Sequence, residues 1–420
     1  MMEEKGKKIF GLLGEKLGHS FSPLIHSFLG DYTYPLYEVA PGNLDSFMIE
    51  RRFDGINVTI PYKQAVISYC ATLSGEARIL GSVNTIVKDK DGLLHGHNTD
   101  YHGFLMTLKR GKIDPRGQKT LVLGDGGTAR TVRAALSDLG AAELITISRR
   151  GENHYGNIAR HYDAKIIVNT TPVGMYPNNG ESPLPLAEFE RLLGVIDLIY
   201  NPMRTKLLLE AEGLGIPCVN GLTMLVGQAE KASRIFLGVP DEAARPELID
   251  EISRAILKKT RNVALIGMPG CGKSTIGLAL AQAMGRPFVD IDKKIESAAG
   301  CGIPEIFAKE GEQAFRRLET KILGEEAARS GMVIATGGGI VTQPENRALL
   351  RQNSLIVYLK RELYELATDG RPLSKDNGIQ ILAERRLPLY EDWSDCAIPV
   401  GTNPKQTAAQ ILEAIDSQIF

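Results

Sequence analysis

The sequence lacks several features that define whole classes of protein. Only five of its 420 residues are cysteines, and no two of them have the C-x-x-C spacing of a metal or redox site. No uninterrupted apolar run is long enough to cross a bilayer, and no apolar signal segment follows the charged residues 3–8. We therefore expect a cytoplasmic protein with reduced thiols, rather than a disulfide framework, a zinc protein or a membrane protein.

The sequence also has almost no net charge. It contains 49 basic and 50 acidic residues, for a formal net charge of −1. This balance does not indicate binding to nucleic acids or to membrane surfaces. The length predicts two or three domains, and the 43% hydrophobic content is typical of globular proteins. Composition leaves the oligomeric state open between a monomer and a homodimer.

The most specific pattern is Gly267-Met-Pro-Gly-Cys-Gly-Lys-Ser-Thr275, which matches the G-x-x-x-x-G-K-S/T pattern of a P-loop. A strand is predicted over Arg261–Ile266 and a helix over Ile276–Met284, which is the context that the loop needs. We predict that Lys273 contacts the β- and γ-phosphates of ATP and that Ser274 ligates Mg²⁺. The residues predicted to hold ATP are Gly270, Cys271, Gly272, Lys273, Ser274 and Thr275.

Four segments of the first hundred residues place short polar side chains near the ends of predicted strands. They are Ser20-Phe-Ser-Pro23, Asn57-Val-Thr-Ile-Pro-Tyr-Lys63, Val83-Asn-Thr85 and Asn98-Thr-Asp100. Such a set suits a small polyhydroxy acid, because each ligand oxygen needs a donor or an acceptor. Ser20 and Ser22 either present both hydroxyls on one side of an extended segment or cap the helix that follows.

A glycine turn between a strand and a helix lies in Thr120-Leu-Val-Leu-Gly-Asp-Gly-Gly-Thr-Ala-Arg130, a variant of the dinucleotide-binding pattern. The next strand ends in Ser148-Arg-Arg150, where an NAD site would carry an acid. Two guanidinium groups suit a 2′-phosphate, so we predict NADP(H). Asp125 would repel the pyrophosphate unless its side chain points away. The residues predicted to contact this cofactor are Gly124, Gly126, Gly127, Ala129, Ser148, Arg149 and Arg150.

These motifs resemble the signature set of the shikimate dehydrogenase family, in the family's order, over about Lys8 to Leu257. The resemblance implies that Lys63 and Asp100 are the catalytic pair, with the lysine ammonium as proton donor. It also implies that Ser20 and Ser22 hold the substrate carboxylate. The other residues implied at the substrate are Asn57, Thr59, Asn84, Tyr200 and Gln228, and Thr171 is implied at the cofactor.

The motifs after residue 260 resemble the shikimate kinase family. Besides the P-loop they are Pro287–Asp292, Glu312–Glu319, Val333–Gly339, Gly370–Leu373 and Glu384–Tyr390. The pattern places Asp290 and Asp292 at alternating positions of a predicted strand. The resemblance implies that Asp292 binds the reacting hydroxyl and that Asp290 lies near Mg²⁺.

Three arginines and a glycine complete the set that the kinase resemblance implies. Arg316 and Arg386 would form bidentate bonds to the substrate carboxylate, for which guanidinium geometry is suited. Gly338 would bring a backbone N–H close to the substrate. Arg371 would cover the phosphates when a lid over residues 366–370 closes.

Together the two resemblances predict an α/β protein with two enzymes in one chain. The first is a dehydrogenase over residues 1–257, with a discontinuous substrate domain (about 1–101 and 222–257) around a Rossmann-like NADP domain (about 102–221). A short joint over 258–261 leads to a P-loop kinase domain over 262–420, similar to the nucleoside-monophosphate kinases.

The reaction sequence that this implies has two steps. The first half would reduce 3-dehydroshikimate to shikimate with NADPH, and the second would phosphorylate shikimate to shikimate 3-phosphate with ATP. One alternative is a quinate dehydrogenase fused to a gluconate-type kinase, which the paired serines and paired arginines disfavour. Another is a regulatory protein with one degenerate half, which the intact Lys63, Asp100, Lys273 and Asp292 disfavour.

Overall fold

The computed structural model of the protein describes residues 7–18, 20–241, 245–366 and 378–418. The chain divides into two compact units. The first comprises the residues up to Gly174, Glu181–Tyr200 and Glu210–Ile256, and the second comprises Met175–Gly180, Asn201–Leu209 and the residues from Leu257 onward. No helix in the described part of the chain combines the length and the apolar character needed to span a membrane.

The first sheet has six strands in the order β2-β1-β3-β5-β6-β4. The strands are β1 Phe10–Gly14, β2 Leu36–Glu38, β3 Gly55–Val58, β4 Thr72–Leu73, β5 Thr85–Lys88 and β6 Leu94–His97. Strand β1 is buried along its whole length and pairs in parallel with β2 and β3, whereas β5 runs antiparallel to β3 and β6. The helices of this region are α1 Ser22–Leu29, α2 Leu44–Glu50, α3 Gly75–Leu80 and α4 Asp100–Gly111.

The second sheet has five parallel strands in the order β11-β10-β9-β7-β8. They are β7 Lys119–Leu123, β8 Glu143–Ile147, β9 Ile166–Asn169, β10 Gly194–Asp197 and β11 Cys218–Asn220. Strands β9 and β10 are fully buried, as expected for a parallel sheet covered on both faces. The order reverses between β7 and β9, which is where such sheets bind ligands. The next helices are α5 Gly127–Asp138, α6 Lys206–Gly213, α7 Leu222–Leu237 and α8 Pro246–Thr260.

The third sheet also has five parallel strands, in the order β13-β14-β12-β15-β16. They are β12 Asn262–Ile266, β13 Phe288–Asp290, β14 Val333–Ala335, β15 Ser354–Lys360 and β16 Cys396–Pro399. The remaining helices are α9 Lys273–Met284, α10 Ile291–Ala299, α11 Ile303–Ala327, α12 Pro344–Arg351, α13 Gly378–Trp393 and α14 Pro404–Gln418. The P-loop therefore follows the central strand and precedes a helix, so the predicted α/β class and P-loop context are confirmed.

One predicted strand is too long. Residues 287–292 were expected to form a strand with Asp290 and Asp292 on alternating positions, but β13 ends at Asp290 and α10 begins at Ile291. The Asp290 carboxylate accepts a hydrogen bond from the Lys293 N–H at 3.3 Å and so caps α10. Asp292 consequently lies in the first turn of the helix.

At the junction between β11 and α7, the addition of one methyl group to Gly221 should lower the stability of the protein. A Cβ atom added to Gly221 would overlap the carbonyl oxygen of Leu198, which is backbone and cannot rotate away. We expect Gly221→Ala to lower the unfolding free energy by about 1–3 kcal/mol. Gly75→Ala is the control, because its Cβ would meet no atom within 4 Å at the start of α3. Urea unfolding of both variants measures the difference, and equal midpoints would contradict the prediction.

Candidate functional site

An ion pair forms the centre of the site in the first unit. Lys63 follows β3 and Asp100 begins α4, and the Lys63 Nζ lies 2.6 Å from the Asp100 Oδ2. The Asp100 side chain is only 5% exposed, whereas the Lys63 side chain is 23% exposed. The other carboxylate oxygen, Oδ1, accepts a bond from the Asn84 Nδ2 at 2.9 Å. The carboxylate is thus bonded on both oxygens, and the ammonium group keeps a partly open side.

Asn84 connects the pair to the surrounding motifs. Its Oδ1 accepts hydrogen bonds from the Thr99 N–H at 2.8 Å and from the Thr85 hydroxyl at 3.0 Å. Its Nδ2 donates to the Gln228 Oε1 on α7 at 3.4 Å. The structure therefore brings four of the predicted residues together. Thr85 and Thr99 were not predicted as site residues, although both lie inside the motifs that were recognised.

Asn57 lies beside this group and is held by Thr85 and by Tyr34, which no sequence motif indicated. The Tyr34 hydroxyl donates to the Asn57 Oδ1 at 2.6 Å, and the Asn57 Nδ2 donates to the Thr85 hydroxyl at 3.0 Å. Burial raises the pKa of Tyr34, which keeps the proton on its hydroxyl. The Tyr34 ring stacks on His26, with ring centroids 3.8 Å apart.

The serine pair lies at the start of α1. Ser22 is the first helical residue, and its N–H donates to the Ser20 Oγ at 3.2 Å. Of the two arrangements considered for these serines, the structure has the turn at the helix start and not the extended segment, because the Ser20 hydroxyl accepts a hydrogen bond from a backbone amide there. The ring of Phe21, between the two serines, lies 5.6 Å from that of Tyr200. Thr59 precedes Lys63, and its N–H donates to the Leu13 carbonyl at 2.9 Å.

The glycine turn after β7 has the geometry that a dinucleotide phosphate requires. Gly124 has φ 102°, and a Cβ at this position would lie 2.8 Å from the Thr170 Oγ1. Gly126 caps α5, and a Cβ at Gly126 or Gly127 would meet no atom within 4 Å. The N-terminus of α5 is therefore open to an anion, while the buried Ala129 packs against the sheet. These residues fit the pyrophosphate of a dinucleotide.

The ends of β8 and β9 flank this turn. The Gly124 N–H donates to the Ile147 carbonyl at 2.8 Å, which ties the turn to the end of β8. Ser148 is buried directly after that strand, and Arg149, Arg150 and Asp125 are exposed. Exposed guanidinium groups at this strand end fit a 2′-phosphate. After β9, the Thr171 hydroxyl donates to the Asn169 Oδ1 at 2.7 Å.

The P-loop of the second unit has the backbone of an anion-binding nest. Gly267, Gly270 and Gly272 have φ values of 148°, 83° and 98°, which favour glycine strongly. The Lys273 Nζ donates to the carbonyls of Gly267 at 2.9 Å and Met268 at 3.0 Å. Cys271 is buried within this loop, whereas Ser274 and Thr275 are exposed in the first turn of α9. This arrangement fits a polyphosphate at the start of α9.

The glycine run after β14 lies against the P-loop and both predicted arginines. A Cβ at Gly338 would lie 2.6 Å from the Pro269 Cγ, and one at Gly339 would overlap the guanidinium group of Arg316. The Gly338 carbonyl accepts a bond from the Arg386 Nη1 at 3.1 Å. The run therefore brings Arg316 and Arg386 to one place. Both arginines are almost fully buried.

Two carboxylates orient Arg316. Its Nη1 donates to the Glu319 Oε2 at 2.7 Å, and its Nη2 donates to the Glu312 Oε1 at 3.2 Å. Glu312 was not predicted, although its spacing of four residues from Arg316 is a pattern that indicates an ion pair on a helix. Asp292 lies across the glycine run, since a Cβ at Gly337 would be 2.7 Å from both its Oδ1 and the Glu319 Oε1. Burial raises the pKa of Asp292, which the nearby Lys273 opposes.

The described residues include the predicted Mg²⁺ ligands but not the predicted lid. Arg371 and the residues Gly370–Leu373 lie outside the described residues, as does the predicted lid after Leu366. No group of three or more His, Cys, Asp or Glu that could hold a metal occurs in the described ranges. Mg²⁺ in phosphoryl-transfer sites is held by few protein ligands together with phosphate oxygens and water. The exposed hydroxyl of Ser274 and the carboxylate of Asp290 fit that chemistry.

Comparisons with known proteins match both halves of the chain. The model of the shikimate dehydrogenase substrate binding domain matches residues 12–86, and that of shikimate kinase matches residues 269–416. A shikimate dehydrogenase (NADP(+)) of Clostridium perfringens (strain 13 / Type A) is 37% identical over 268 residues, which are 58% of this chain and 98% of that relative.

Solved structures also resemble this chain. A chorismate mutase/shikimate 5-dehydrogenase fusion protein from Clostridium acetobutylicum is 35% identical with a TM-score of 0.56, and the match covers 60% of this chain and 98% of that one. A shikimate 5-dehydrogenase from Thermus thermophilus, in complex with NADP(H) and shikimate, is 32% identical with a TM-score of 0.53; the match covers 59% of this chain and 99% of that one.

The buried imidazole beside Asn57 predicts a pH dependence of stability. His26 is buried and its Nδ1 lies 2.8 Å from the Tyr32 hydroxyl. Burial lowers the pKa of His26 from 6.5 to about 3. Between these two values the unfolded chain binds one more proton than the folded chain. The unfolding free energy should therefore fall as the pH falls through this range, by at most about 1.4 kcal/mol per pH unit.

The variant His26→Gln replaces the titratable imidazole with a polar side chain that does not bind a proton in this pH range. We expect the unfolding free energy of the variant, measured with urea between pH 4 and pH 6, to fall less steeply with decreasing pH than that of the wild-type protein. The two slopes should differ by the contribution of one proton, at most about 1.4 kcal/mol per pH unit. The absolute stabilities of the two proteins do not enter the comparison. Equal slopes would show that His26 does not remain neutral in the folded state.

Proposed function

We propose a function on the premise that this chain belongs to the shikimate dehydrogenase family and carries a shikimate kinase domain after it. The protein is a bifunctional enzyme of the shikimate pathway. Its first activity reduces 3-dehydroshikimate to shikimate with NADPH, and its second phosphorylates shikimate with ATP and Mg²⁺. The main support for the first activity is the Lys63–Asp100 ion pair. The main support for the second is the glycine run that lies against the P-loop and the two buried arginines.

In the reduction, the residues of the first unit bind the substrate and deliver a proton. NADPH, when bound, supplies the hydride to the carbonyl carbon. Lys63 donates a proton from its ammonium group to the carbonyl oxygen, which becomes the new hydroxyl. Asp100 holds the ammonium group in place and balances its charge, and Asn84 fixes the carboxylate. The lysine thereby neutralises the negative charge that develops on the oxygen.

The remaining polar residues orient the substrate and the cofactor. Ser20 and Ser22 bind the substrate carboxylate. The residues proposed for the ring hydroxyls and their surroundings are Asn57, Thr59, Asn84, Tyr200 and Gln228. Gly124, Gly126, Gly127 and Ala129 allow the cofactor's pyrophosphate to approach α5, with Thr171 alongside. Arg149 binds the 2′-phosphate, with Ser148 and Arg150 beside it.

In the phosphorylation, the residues of the second unit position two reactants and neutralise charge. Arg316 and Arg386 bind the shikimate carboxylate, and the Gly338 backbone supports the ring. Asp292 takes the proton of the attacking hydroxyl, whose oxygen bonds to the γ-phosphorus while ADP leaves. The raised pKa of Asp292 suits it to this role.

The nucleotide is held by the P-loop of the same unit. Its residues Gly270 to Thr275 bind the ATP phosphates, and Lys273 supplies a positive charge there. Ser274 and Asp290 hold Mg²⁺, which neutralises phosphate charge when bound. Arg371 is assigned to the phosphates from its motif alone.

The families and the cysteines of the chain support a proposal on where the enzyme acts. Both families act on small molecules, and we propose the cytoplasm as the place of action. All five cysteines are free thiols, which is typical of proteins from a reducing compartment.

Two lysine variants test the assignment of the two activities. The full-length protein is given 3-dehydroshikimate, NADPH and ATP, and shikimate and shikimate 3-phosphate are measured. We expect Lys63→Ala to slow NADPH oxidation by at least about 100-fold, because the proton donor is lost, while added shikimate is still phosphorylated. Lys273→Ala should slow phosphorylation by at least about 100-fold, while shikimate accumulates.

Two exposed lysines provide matched controls. Lys90 is near the first site in sequence and Lys293 is near the second, and replacing either with alanine should leave the two activities unchanged. If either Lys63→Ala or Lys273→Ala stopped both reactions, the assignment of one activity to each unit would be wrong.

A pair of neighbouring arginines tests the cofactor assignment. Arg149→Ala should raise the KM for NADPH by about 10- to 100-fold, because a charged hydrogen bond to the 2′-phosphate is lost. Its KM for NADH should not change, since NADH has no such phosphate. Arg150→Ala, one residue further along, should have the smaller effect. A preference of the wild-type enzyme for NADH over NADPH would contradict the assignment.

A further inference from the structure

The three glycines after β14 combine close contacts with a backbone that has little conformational preference of its own. A Cβ atom added at Gly337, Gly338 or Gly339 would lie 2.7 Å, 2.6 Å or 2.3 Å from atoms of other residues, so larger side chains do not fit. Glycine has no Cβ atom to restrict its φ and ψ angles, and a run of three can therefore adopt many conformations. Contacts with other residues must select the conformation that the site uses.

The carbonyl groups of the run show where these contacts come from. The Gly337 carbonyl accepts a hydrogen bond from the Ile340 N–H at 3.2 Å, and the Gly339 carbonyl accepts one from the Thr342 N–H at 3.0 Å. Both are local bonds within turns. The Gly338 carbonyl instead accepts two bonds from side chains of α13, which are 48 and 52 residues away in the sequence. The middle of the run is thus held by a distant element of the same unit.

Tyr390 supplies one of these two bonds. Its hydroxyl donates to the Gly338 carbonyl at 2.5 Å, and the Arg386 Nη1 donates to the same oxygen at 3.1 Å. Tyr390 follows Arg386 by four residues, which places the two side chains on one face of α13. A carbonyl oxygen has two lone pairs, so two donors fix its direction more strictly than one donor would.

The surroundings of Tyr390 keep its hydroxyl protonated and its ring in place. Burial raises the pKa of this hydroxyl, and the positive charge of Arg386 opposes the effect only in part. The residue is 0% exposed, and its ring stacks on that of Tyr358 in β15, with centroids 5.3 Å apart. The phenol is therefore a hydrogen-bond donor near neutral pH, on a ring that packing holds in one position.

The peptide group that Tyr390 holds lies next to both arginines of the site. The Gly338 carbonyl and the Gly339 N–H belong to one planar group, so fixing the carbonyl also fixes the Cα atom of Gly339. This Cα faces Arg316, because a Cβ added to it would overlap the guanidinium group. The same carbonyl accepts the bond from Arg386. One backbone oxygen thus connects Tyr390 with the placement of both guanidinium groups.

We propose that Tyr390 is a positioning residue for the phosphorylation reaction. Its hydroxyl holds the Gly338–Gly339 peptide group in the orientation in which Arg316 and Arg386 bind the carboxylate of shikimate. It acts through the Gly338 carbonyl and takes no part in the transfer of the phosphoryl group. This inference rests on the kinase activity proposed above, and all of its residues belong to the second unit.

The variant Tyr390→Phe tests this role in the full-length protein, because it keeps the ring and removes the bond to Gly338. We expect the KM for shikimate to rise by about fivefold, the effect of about one hydrogen bond. The kinase kcat and the KM for ATP should change less than twofold. This split is expected because the shikimate carboxylate does not react, so that its contacts contribute equally to the bound substrate and to the transition state.

Tyr358→Phe is the matched control, since it removes a hydroxyl from the other ring of the same stacked pair. Tyr358 is 4% exposed, and its hydroxyl makes no hydrogen bond to another described residue. We expect this variant to leave the KM values for shikimate and ATP unchanged. The inference is overturned if Tyr358→Phe raises the KM for shikimate as much as Tyr390→Phe does, or if Tyr390→Phe leaves this KM unchanged.

The kinetic constants also separate positioning from a general loss of structure. A change that only weakened the fold would reduce the amount of active kinase and hence the apparent kcat, without raising the KM for shikimate. A lower kcat with an unchanged KM in Tyr390→Phe would therefore overturn the inference, as would equal rises of the KM for shikimate and for ATP. Wild-type protein that does not phosphorylate shikimate would instead overturn the proposed function.

Discussion

A carboxylate that is removed from water must have its oxygens bonded, and the arrangement of the first site follows from how Asp100 meets this condition. Lys63 satisfies one oxygen and Asn84 the other. Asn84 is held in turn by the Thr99 N–H and the Thr85 hydroxyl. The bonds join the ends of β3, β5 and β6 to the start of α4. The ammonium group proposed as the proton donor is therefore fixed by the same contacts that stabilise this part of the fold.

The second site meets a related condition with a guanidinium group in place of the ammonium. Arg316 is buried, and Glu319 and Glu312 balance its charge. The space for it is created by glycine, because a Cβ at Gly339 would occupy the position of its guanidinium group. In both sites a buried charge is kept in one orientation by partners that belong to the protein. A substrate bound as proposed would meet donors that need little rearrangement, which is how such sites bind and react efficiently.

Local patterns predicted the parts of the protein that depend on local geometry. The P-loop glycines, the glycine turn at Gly124 and the α/β class are confirmed. They could be predicted because positive φ values and the order strand–turn–helix depend on short stretches of sequence. One local prediction, the strand over residues 287–292, is wrong because the Asp290 side chain accepts a hydrogen bond from a nearby backbone N–H and so starts a helix. The same kind of bond at Ser20 decides between the two arrangements considered for the serine pair. Tyr34 and Glu312 were missed because their roles depend on what they contact.

The sequence alone determined which residue types are available for each reaction and the order in which they occur along the chain. This order suffices for the motifs because each one is a short strand end or turn. Only the tertiary structure decided which of these residues meet. Asn179 and Gln352 are 173 residues apart, and no periodicity or motif connects them. Their bond exists because the folded backbone brings two loops together, and that path depends on the packing of the whole unit.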